Sequence, residues 1–144
     1  NEIATRETFV DGWLKTGDVG YADQDGYIFL VDRLKDVILC SGYNVYPRAI
    51  EEALYLHEQI AEVTVIGVPD QYRGQAPKAF VRLKDNVTDV TAEDLRTFLD
   101  DKISRIEMPR EIEIREELPK TMVGKLSKKE LVEEERLKRE GKAQ

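Results

Sequence analysis

Apolar positions recur along the chain in two rhythms, every second residue and every third or fourth, and the change from one to the other marks out its elements. Tyr27-Ile28-Phe29-Leu30-Val31 is β-branched and aromatic, and Asp23-Gln24-Asp25-Gly26 ahead of it carries the Asp-Gly pair that closes hairpins. Residues 13–31 therefore predict a β-hairpin. Asp23, Asp25 and Gly26 have the spacing of a calcium loop, but an EF-hand needs Glu at its twelfth position and Leu34 stands there. After the charged break Asp32-Arg33-Leu34-Lys35-Asp36, the apolar run Val37-Ile38-Leu39-Cys40 predicts a strand, ended by the turn cluster Ser41-Gly42-Tyr43-Asn44.

The rhythm then becomes helical. Pro47 suits a first helical position, and Ile50, Ala53, Leu54 and His57 share one face, predicting an amphipathic helix over residues 47–57 with Arg48, Glu51 and Glu52 on the other face. Ala61, Val63 and Val65 alternate with Glu62 and Thr64 until Gly67-Val68-Pro69-Asp70 ends the strand, and residues 79–83 alternate likewise after a loop containing Gly74. Thr91 opens a second helix, with Asp94 as its capping-box partner, Val90 and Leu95 as a hydrophobic staple, and Leu95, Phe98, Leu99 and Ile103 as the buried stripe. Glu111-Ile112-Glu113-Ile114-Arg115 predicts another strand. Ser127 starts the last helix, with Glu130 closing a capping box and Leu126 and Leu131 as staple. Farther along, Glu134 with Lys138 and Glu135 with Arg139 are favourable i,i+4 pairs on a solvated end. From Val37 onward the order is strand, helix, strand, strand, helix, strand, helix, which gives an α+β fold: a small mixed β-sheet packed with helices.

Composition narrows the setting. The 144 residues make one domain's worth of chain, with 41% hydrophobic and 35% charged residues, so neither disorder nor a fibrous repeat is indicated. An excess of acidic residues, 29 against 22 Lys plus Arg, leaves a net charge of -7 that repels phosphate backbones and anionic lipid heads, so no nucleic acid and no membrane partner is expected. The single cysteine, Cys40, excludes an internal disulfide, and no apolar run approaches the ~20 residues of a transmembrane segment. A cytoplasmic setting fits these features. The chain opens on Asn1 rather than methionine, and residues 1–8 are polar and unpatterned, so the start of the reading frame is expected upstream.

The candidate chemistry sits in loops. Thr16-Gly17-Asp18 reads as a turn, Arg33 and Lys35 as solvated charges, and Gly42 as the glycine of a tight turn. The loop Leu118-Pro119-Lys120-Thr121-Met122-Val123-Gly124-Lys125 is sharper, because it puts a lysine just ahead of a helix start, where exposed amides and an ammonium make an anion site. It is not a Walker A loop: Leu126 follows Lys125 where Ser or Thr is needed, and Pro119 takes the place of the first glycine. His57, on an apolar helical face, and Cys40, in an apolar strand, read as structural. No metal-ligating residues are assigned.

Taken together these segments resemble the adenylate-forming (AMP-binding) superfamily, which includes acyl-CoA synthetases, firefly luciferase and peptide-synthetase adenylation domains. WLKTGDVGYADQDGYIFLVDRLKD is similar to its ribose-binding and hinge motifs, ILCSGYNVYPRAIEEAL to its thioester-loop segment, and ELPKTMVGKLSKKEL to its catalytic-lysine motif. The resemblance implies a two-step ligase. A carboxylate attacks the α-phosphate of ATP to give acyl-AMP and pyrophosphate, and a thiol, usually that of CoA, then displaces AMP. At the matching positions, Asp18 and Arg33 would hold the ATP ribose, and Lys125 would bridge the attacking carboxylate and the α-phosphate in the first step. Lys35 would be the hinge on which the small domain rotates, withdrawing Lys125 and bringing Ser41, Gly42 and Tyr43 in to line the pantetheine tunnel.

By the same resemblance, residues 1–34 are the tail of a large N-terminal AMP-binding domain and residues 35–144 the mobile C-terminal lid. That larger domain would be a partner of this chain, binding most of the ATP and the Mg2+, while the isolated chain would be inactive. The implied substrate is a small-molecule carboxylate, most like a medium- or long-chain fatty acid. Two features depart from the common pattern: Glu58 follows His57 where proline is frequent, and Glu107-Met108 precedes Pro109 where a basic residue is common. Two other readings stand beside this one, a small α+β binding or regulatory module without catalysis and an adenylation domain of a peptide synthetase.

Overall fold

The computed structural model describes residues 2–142; Asn1 of the unpatterned opening and residues 143–144 of the solvated end lie outside the described residues. The chain divides into two compact units, Asn1–Lys35 and Asp36–Gln144.

The first unit holds α1 (Glu2–Thr8), β1 (Phe9–Val10), β2 (Trp13–Leu14), β3 (Asp18–Ala22) and β4 (Ile28–Arg33). The stretch expected to be unpatterned forms α1, a helix with Glu2 in its first turn and Arg6 in its last, which complements the helix dipole although no residue of it is buried. β3 and β4 form the expected antiparallel hairpin. Its turn is fixed by the Asp23 carboxylate, which accepts the Asp25 and Tyr27 amides at 2.9 Å each. No described residue of this unit is buried, and Trp13, Tyr27, Ile28 and Leu30 are exposed apolar side chains. Without an apolar core its hydrogen bonds open locally. In the isolated chain, deuterium exchange is therefore expected to be fast for residues 2–35 and slow for the central sheet of the second unit; equal protection of both would contradict this.

The second unit is built on one sheet: β5 (Ile38–Cys40), β6 (Tyr43–Val45), β7 (Ile60–Asp70), β8 (Gly74–Leu83) and β9 (Glu111–Ile114). β7 and β8 form a long antiparallel hairpin. The other edge of β8 is shared, with β9 running parallel to Lys78–Val81 and β5 meeting it through the single pair Cys40 and Gly74. The sheet is thus mixed, as expected. Helices α2 (Pro47–Tyr55) and α3 (Ala92–Leu99) cover one face over Ile50, Leu54, Val63, Val65, Ala79, Val81, Leu95 and Leu99. Helix α4 (Lys128–Lys142) covers the opposite face, where Leu131 packs with Ile66, Val68, Phe80 and Leu118.

Burial on both faces explains where the expected elements differ from those observed. β7 runs on through Gly67 to Asp70, and β8 begins at Gly74 rather than Ala79, because Ile66, Val68 and Ala76 are as buried as the residues that alternate before and after them. The turn cluster is only Ser41-Gly42; Tyr43 and Asn44 belong to β6. The α3 capping box forms as expected, with the Thr91 hydroxyl accepting the Asp94 amide and the Asp94 carboxylate accepting the Thr91 amide. The pairs expected along α4 are replaced: Glu134 bonds Arg115, and Glu135 bonds Lys78 as well as Lys138. No helix among the described residues is long and apolar enough to cross a membrane.

Candidate functional site

Lys125 stands on a tight loop between two fixed points. Lys120 and Leu126 form an isolated antiparallel bridge, the Lys125 carbonyl accepts the Thr121 amide at 2.7 Å, and the Thr121 carbonyl accepts the Gly124 amide at 2.9 Å. Gly124 takes φ +81°, the left-handed conformation that glycine adopts without a Cβ clash. Below this turn, Leu118 is buried, the Pro119 carbonyl accepts the Ser127 amide at 2.9 Å, and Lys120 pairs with Glu62 at 2.7 Å. Glu62 also takes Arg82 at 2.8 Å, and these two cations, Lys120 foremost, hold its carboxyl below the usual range. Lys128, at the start of α4, reaches Glu51 of α2 at 2.9 Å.

The base of the loop is pinned while its tip projects: Met122 and Val123 are almost wholly exposed, and Lys125 is exposed without an ion-pair partner among the described residues. A solvated ammonium on a short rigid turn suits an anion that arrives from outside the unit.

Ser41 and Gly42 form the two-residue turn between β5 and β6, with φ +52° and +82°. Two successive left-handed residues are the signature of a type I′ hairpin turn. A Cβ built on Gly42 would meet nothing within 4 Å, so glycine is required here by backbone conformation and leaves open space beside it. Tyr43 projects from the first position of β6 and is exposed.

Asp18 and Arg33 are directly paired across β3 and β4, so their side chains leave the same face of the ribbon. Both are exposed, and neither makes an ion pair among the described residues. A carboxylate and a guanidinium side by side offer an acceptor and donors to vicinal hydroxyls. Lys35 lies in the 3-10 turn Leu34–Asp36, whose Leu34 amide donates to the Gly17 carbonyl at 2.8 Å. Asp18, Arg33 and Lys35 belong to the first unit; Ser41, Gly42, Tyr43 and Lys125 belong to the second.

Within the second unit the two loops have anchors at different points along β8. The Ser41-Gly42 turn is attached where Cys40 meets Gly74, at the start of β8, whereas the Lys125 loop is attached through Glu62, the register partner of Arg82 near the end of β8. Gly74 and Arg82 are eight residue steps apart along the strand, roughly 27 Å at ~3.4 Å per step.

Residues 49–125 match the family described as AMP-binding enzyme C-terminal domain. The chain belongs to this family. A long-chain-fatty-acid--CoA ligase of Bacillus subtilis is 51% identical over 125 residues, covering 87% of this chain and 22% of that protein. Among solved structures, a fatty acyl CoA synthetase of Mycobacterium tuberculosis aligns with TM-score 0.70 at 36% identity, over 91% of this chain and 26% of that one. The o-succinylbenzoate CoA synthetase of Bacillus subtilis, in complex with its acyl-adenylate intermediate, aligns with TM-score 0.83 at 33% identity, again over 91% and 26%. The chain thus spans about a quarter of the length of the relatives it matches.

For an AMP-binding C-terminal domain the ligand question is which groups this chain can hold. Asp18 and Arg33 fit a ribose, and Lys125 fits a phosphate. The open side of the Ser41-Gly42 turn fits a slender chain. No group of three or more His, Cys, Asp or Glu side chains is placed to hold a metal ion among the described residues.

Sequence reasoning missed the residues that fasten the Ser41-Gly42 turn to the sheet. The Arg73 carbonyl accepts the Ser41 amide at 2.8 Å, and the Gln75 side chain accepts the Leu39 amide at 3.0 Å. Asp70 shapes the same loop, accepting the Tyr72 and Arg73 amides at 2.9 Å each; these bonds lower its pKa, with Arg110 helping at 3.5 Å. The Pro69-Asp70 turn signal was readable, whereas nothing in the local pattern tied Gln75 to Leu39, 36 residues earlier.

Proposed function

We propose that this chain is the C-terminal part of a fatty acyl-CoA ligase, in which residues 35–144 form the lid and residues 1–34 the end of a larger nucleotide-binding body. The ligase activates a medium- or long-chain fatty acid with ATP to acyl-AMP and passes the acyl group to CoA, in a cytoplasmic setting. The observation that carries this reading is the separation of the two exposed loops, Lys125 at one end of the β7–β8 hairpin and Ser41-Gly42-Tyr43 at the other. Two loops anchored roughly 27 Å apart serve one small reaction centre by taking turns at it, and a rigid rotation at Lys35 exchanges them.

In the first orientation the Lys125 ammonium neutralises charge shared between the attacking carboxylate and the α-phosphate oxygens, and Asp18 and Arg33 hold the ribose. In the second, Lys125 is withdrawn and the Ser41-Gly42 turn offers backbone and open space to the pantetheine arm, so that the CoA sulfur reaches the acyl carbon and AMP leaves. Mg2+, if held by the larger body, would screen the phosphate charges.

The test is an assay of the full-length protein with ATP, CoA and a chain-length series of fatty acids. Acyl-CoA, AMP and pyrophosphate formed in equal amounts are expected; ATP hydrolysis without acyl-CoA, or no turnover of any acid, would contradict the reading.

The 144-residue chain alone is expected to do neither step. Asp18, Arg33 and Lys125 supply about three charge-assisted hydrogen bonds of ~1.5–3 kcal/mol each, ~5–9 in total, against an association cost of ~4–15 kcal/mol. Calorimetry should find millimolar or undetectable ATP binding, and a micromolar dissociation constant would overturn that expectation.

A further inference from the structure

The Ser41-Gly42 turn is weakly held by the sheet itself. β5 is three residues long and meets β8 through one residue pair, Cys40 with Gly74. Among the described residues, the neighbouring strand β6 pairs only with β5. Ile38, Cys40 and Val45 bury the inner side of this ribbon in the core, so the aim of the exposed tip is left to the hydrogen bonds beside the attachment.

Two hydrogen bonds flank the attachment. On the turn side, the Ser41 amide donates to the Arg73 carbonyl at 2.8 Å, in a loop shaped by the Asp70 carboxylate. On the other side, the Leu39 amide donates to Gln75 Oε1 at 3.0 Å. Here a side-chain carbonyl takes the place that a main-chain carbonyl of β8 would take in a longer ladder. The amide must accept through its oxygen, since the partner is an N–H donor. Gln75 is exposed and contributes nothing to the apolar core.

We propose that Gln75 is a positioning residue for the thioester-forming step: by accepting the Leu39 amide it holds the Ser41-Gly42-Tyr43 turn at the angle the thiol-bearing arm requires. The inference rests on the reading of that turn as the CoA-facing loop. Adenylation does not use the turn, so it is indifferent to Gln75. A glutamate at this position keeps the acceptor, and a leucine of similar size removes it.

The experiment uses the full-length protein and measures the half-reactions separately, pyrophosphate release for adenylation and acyl-CoA formation from supplied acyl-AMP for thiolation. Gln75→Leu is expected to slow thiolation roughly five- to tenfold at saturating CoA, the value of one ordinary hydrogen bond, with adenylation within about twofold of the parent. Gln75→Glu should restore thiolation. A merely structural role would lower both half-reactions together. That result, or unchanged thiolation in Gln75→Leu, overturns the proposal. Gly42→Val, which the φ of +82° disfavours, separates this failure from a failure of the underlying reading. If Gly42→Val impairs thiolation and Gln75→Leu does not, only the role of Gln75 falls. If neither affects thiolation, the turn is not the CoA-facing loop and both readings fall.

Discussion

Lys78→Met is expected to destabilise the second unit by about 3 kcal/mol, read as a lowered unfolding midpoint in urea. Lys78 is buried in β8, on the sheet face under α4, and its ammonium meets Glu111 at 3.2 Å, Glu113 at 2.8 Å and Glu135 at 2.8 Å. Glu111 and Glu113 come from the neighbouring strand β9 and Glu135 from α4, so one cation joins three segments distant in sequence. Methionine removes the ammonium, which also lies 5.0 Å from the Phe80 ring centroid, and leaves Glu113 and Glu135 to the more exposed cations Arg115 and Lys138. The weight falls on Glu113 and Glu135, whose side chains are 27% and 18% exposed; Glu111 is 53% exposed, so Glu111→Gln should cost less than ~1 kcal/mol. Equal midpoints for Lys78→Met and the parent would contradict this role.

The same cluster sets an acid limit. Burial pushes the Glu113 carboxyl up, but hydrogen bonds from Lys78 and Arg115 outweigh it and bring its pKa from 4.5 down to about 2. A carboxyl with a depressed folded-state value stabilises the fold above its unfolded value and loses that contribution as the pH falls toward the folded one. Stability is therefore expected to be level above about pH 5 and to fall between about pH 4.5 and 2, following Glu113. Glu135 shifts in the same direction, with burial opposing and Lys78 and Lys138 prevailing. In Lys78→Met the decline should be smaller and should end at higher pH, because the Glu113 carboxyl is then less depressed in the folded state.

Local signals carried most of the architecture into the sequence reading. The Thr91 capping box, the Pro47 helix start and the alternation at residues 111–115 each depend on neighbours a few positions away, and each appears in the structure. What escaped depended on distant partners. Ile66 and Val68 interrupt the alternation of β7 because α4, which begins 60 residues after Val68, covers the second face of the sheet. Lys78 sat in a stretch read as loop, and its three carboxylates are distributed over β9 and α4. Glu134 and Glu135 offered helical neighbours as partners, but Glu134 pairs with the half-buried Arg115 and Glu135 with the buried Lys78 as well as with Lys138. For the candidate site, the Lys125 loop was readable from its own turn residues, and the pairing of Asp18 with Arg33 followed once the hairpin register existed. The anchors of that loop, Glu62 with Lys120 and Glu51 with Lys128, bridge 58 and 77 positions, and no local pattern reports them.

Lys125→Ala in the full-length protein is expected to slow acyl-adenylate formation by at least ~10², the effect of removing one preorganised group from a developing negative charge. The structure gives reason to expect little collateral damage. The Lys125 side chain is exposed, the hydrogen bonds that form its turn run through the backbone and the Thr121 hydroxyl, and the loop base is held by Lys120, Pro119 and Leu118. Folding stability should therefore stay close to the parent. Lys125→Arg should recover little, because a planar guanidinium on a longer stem does not replace a compact ammonium between two oxyanions.

The most direct test of the alternating-loop account is the ratio of the two half-reactions in Lys125→Ala, measured on one preparation of the full-length protein. The account predicts adenylation reduced ~10² or more and thiolation of supplied acyl-AMP within about threefold of the parent, because the lysine has left the reaction centre when CoA attacks. Equal losses in the two half-reactions, or adenylation at undiminished speed, would contradict it.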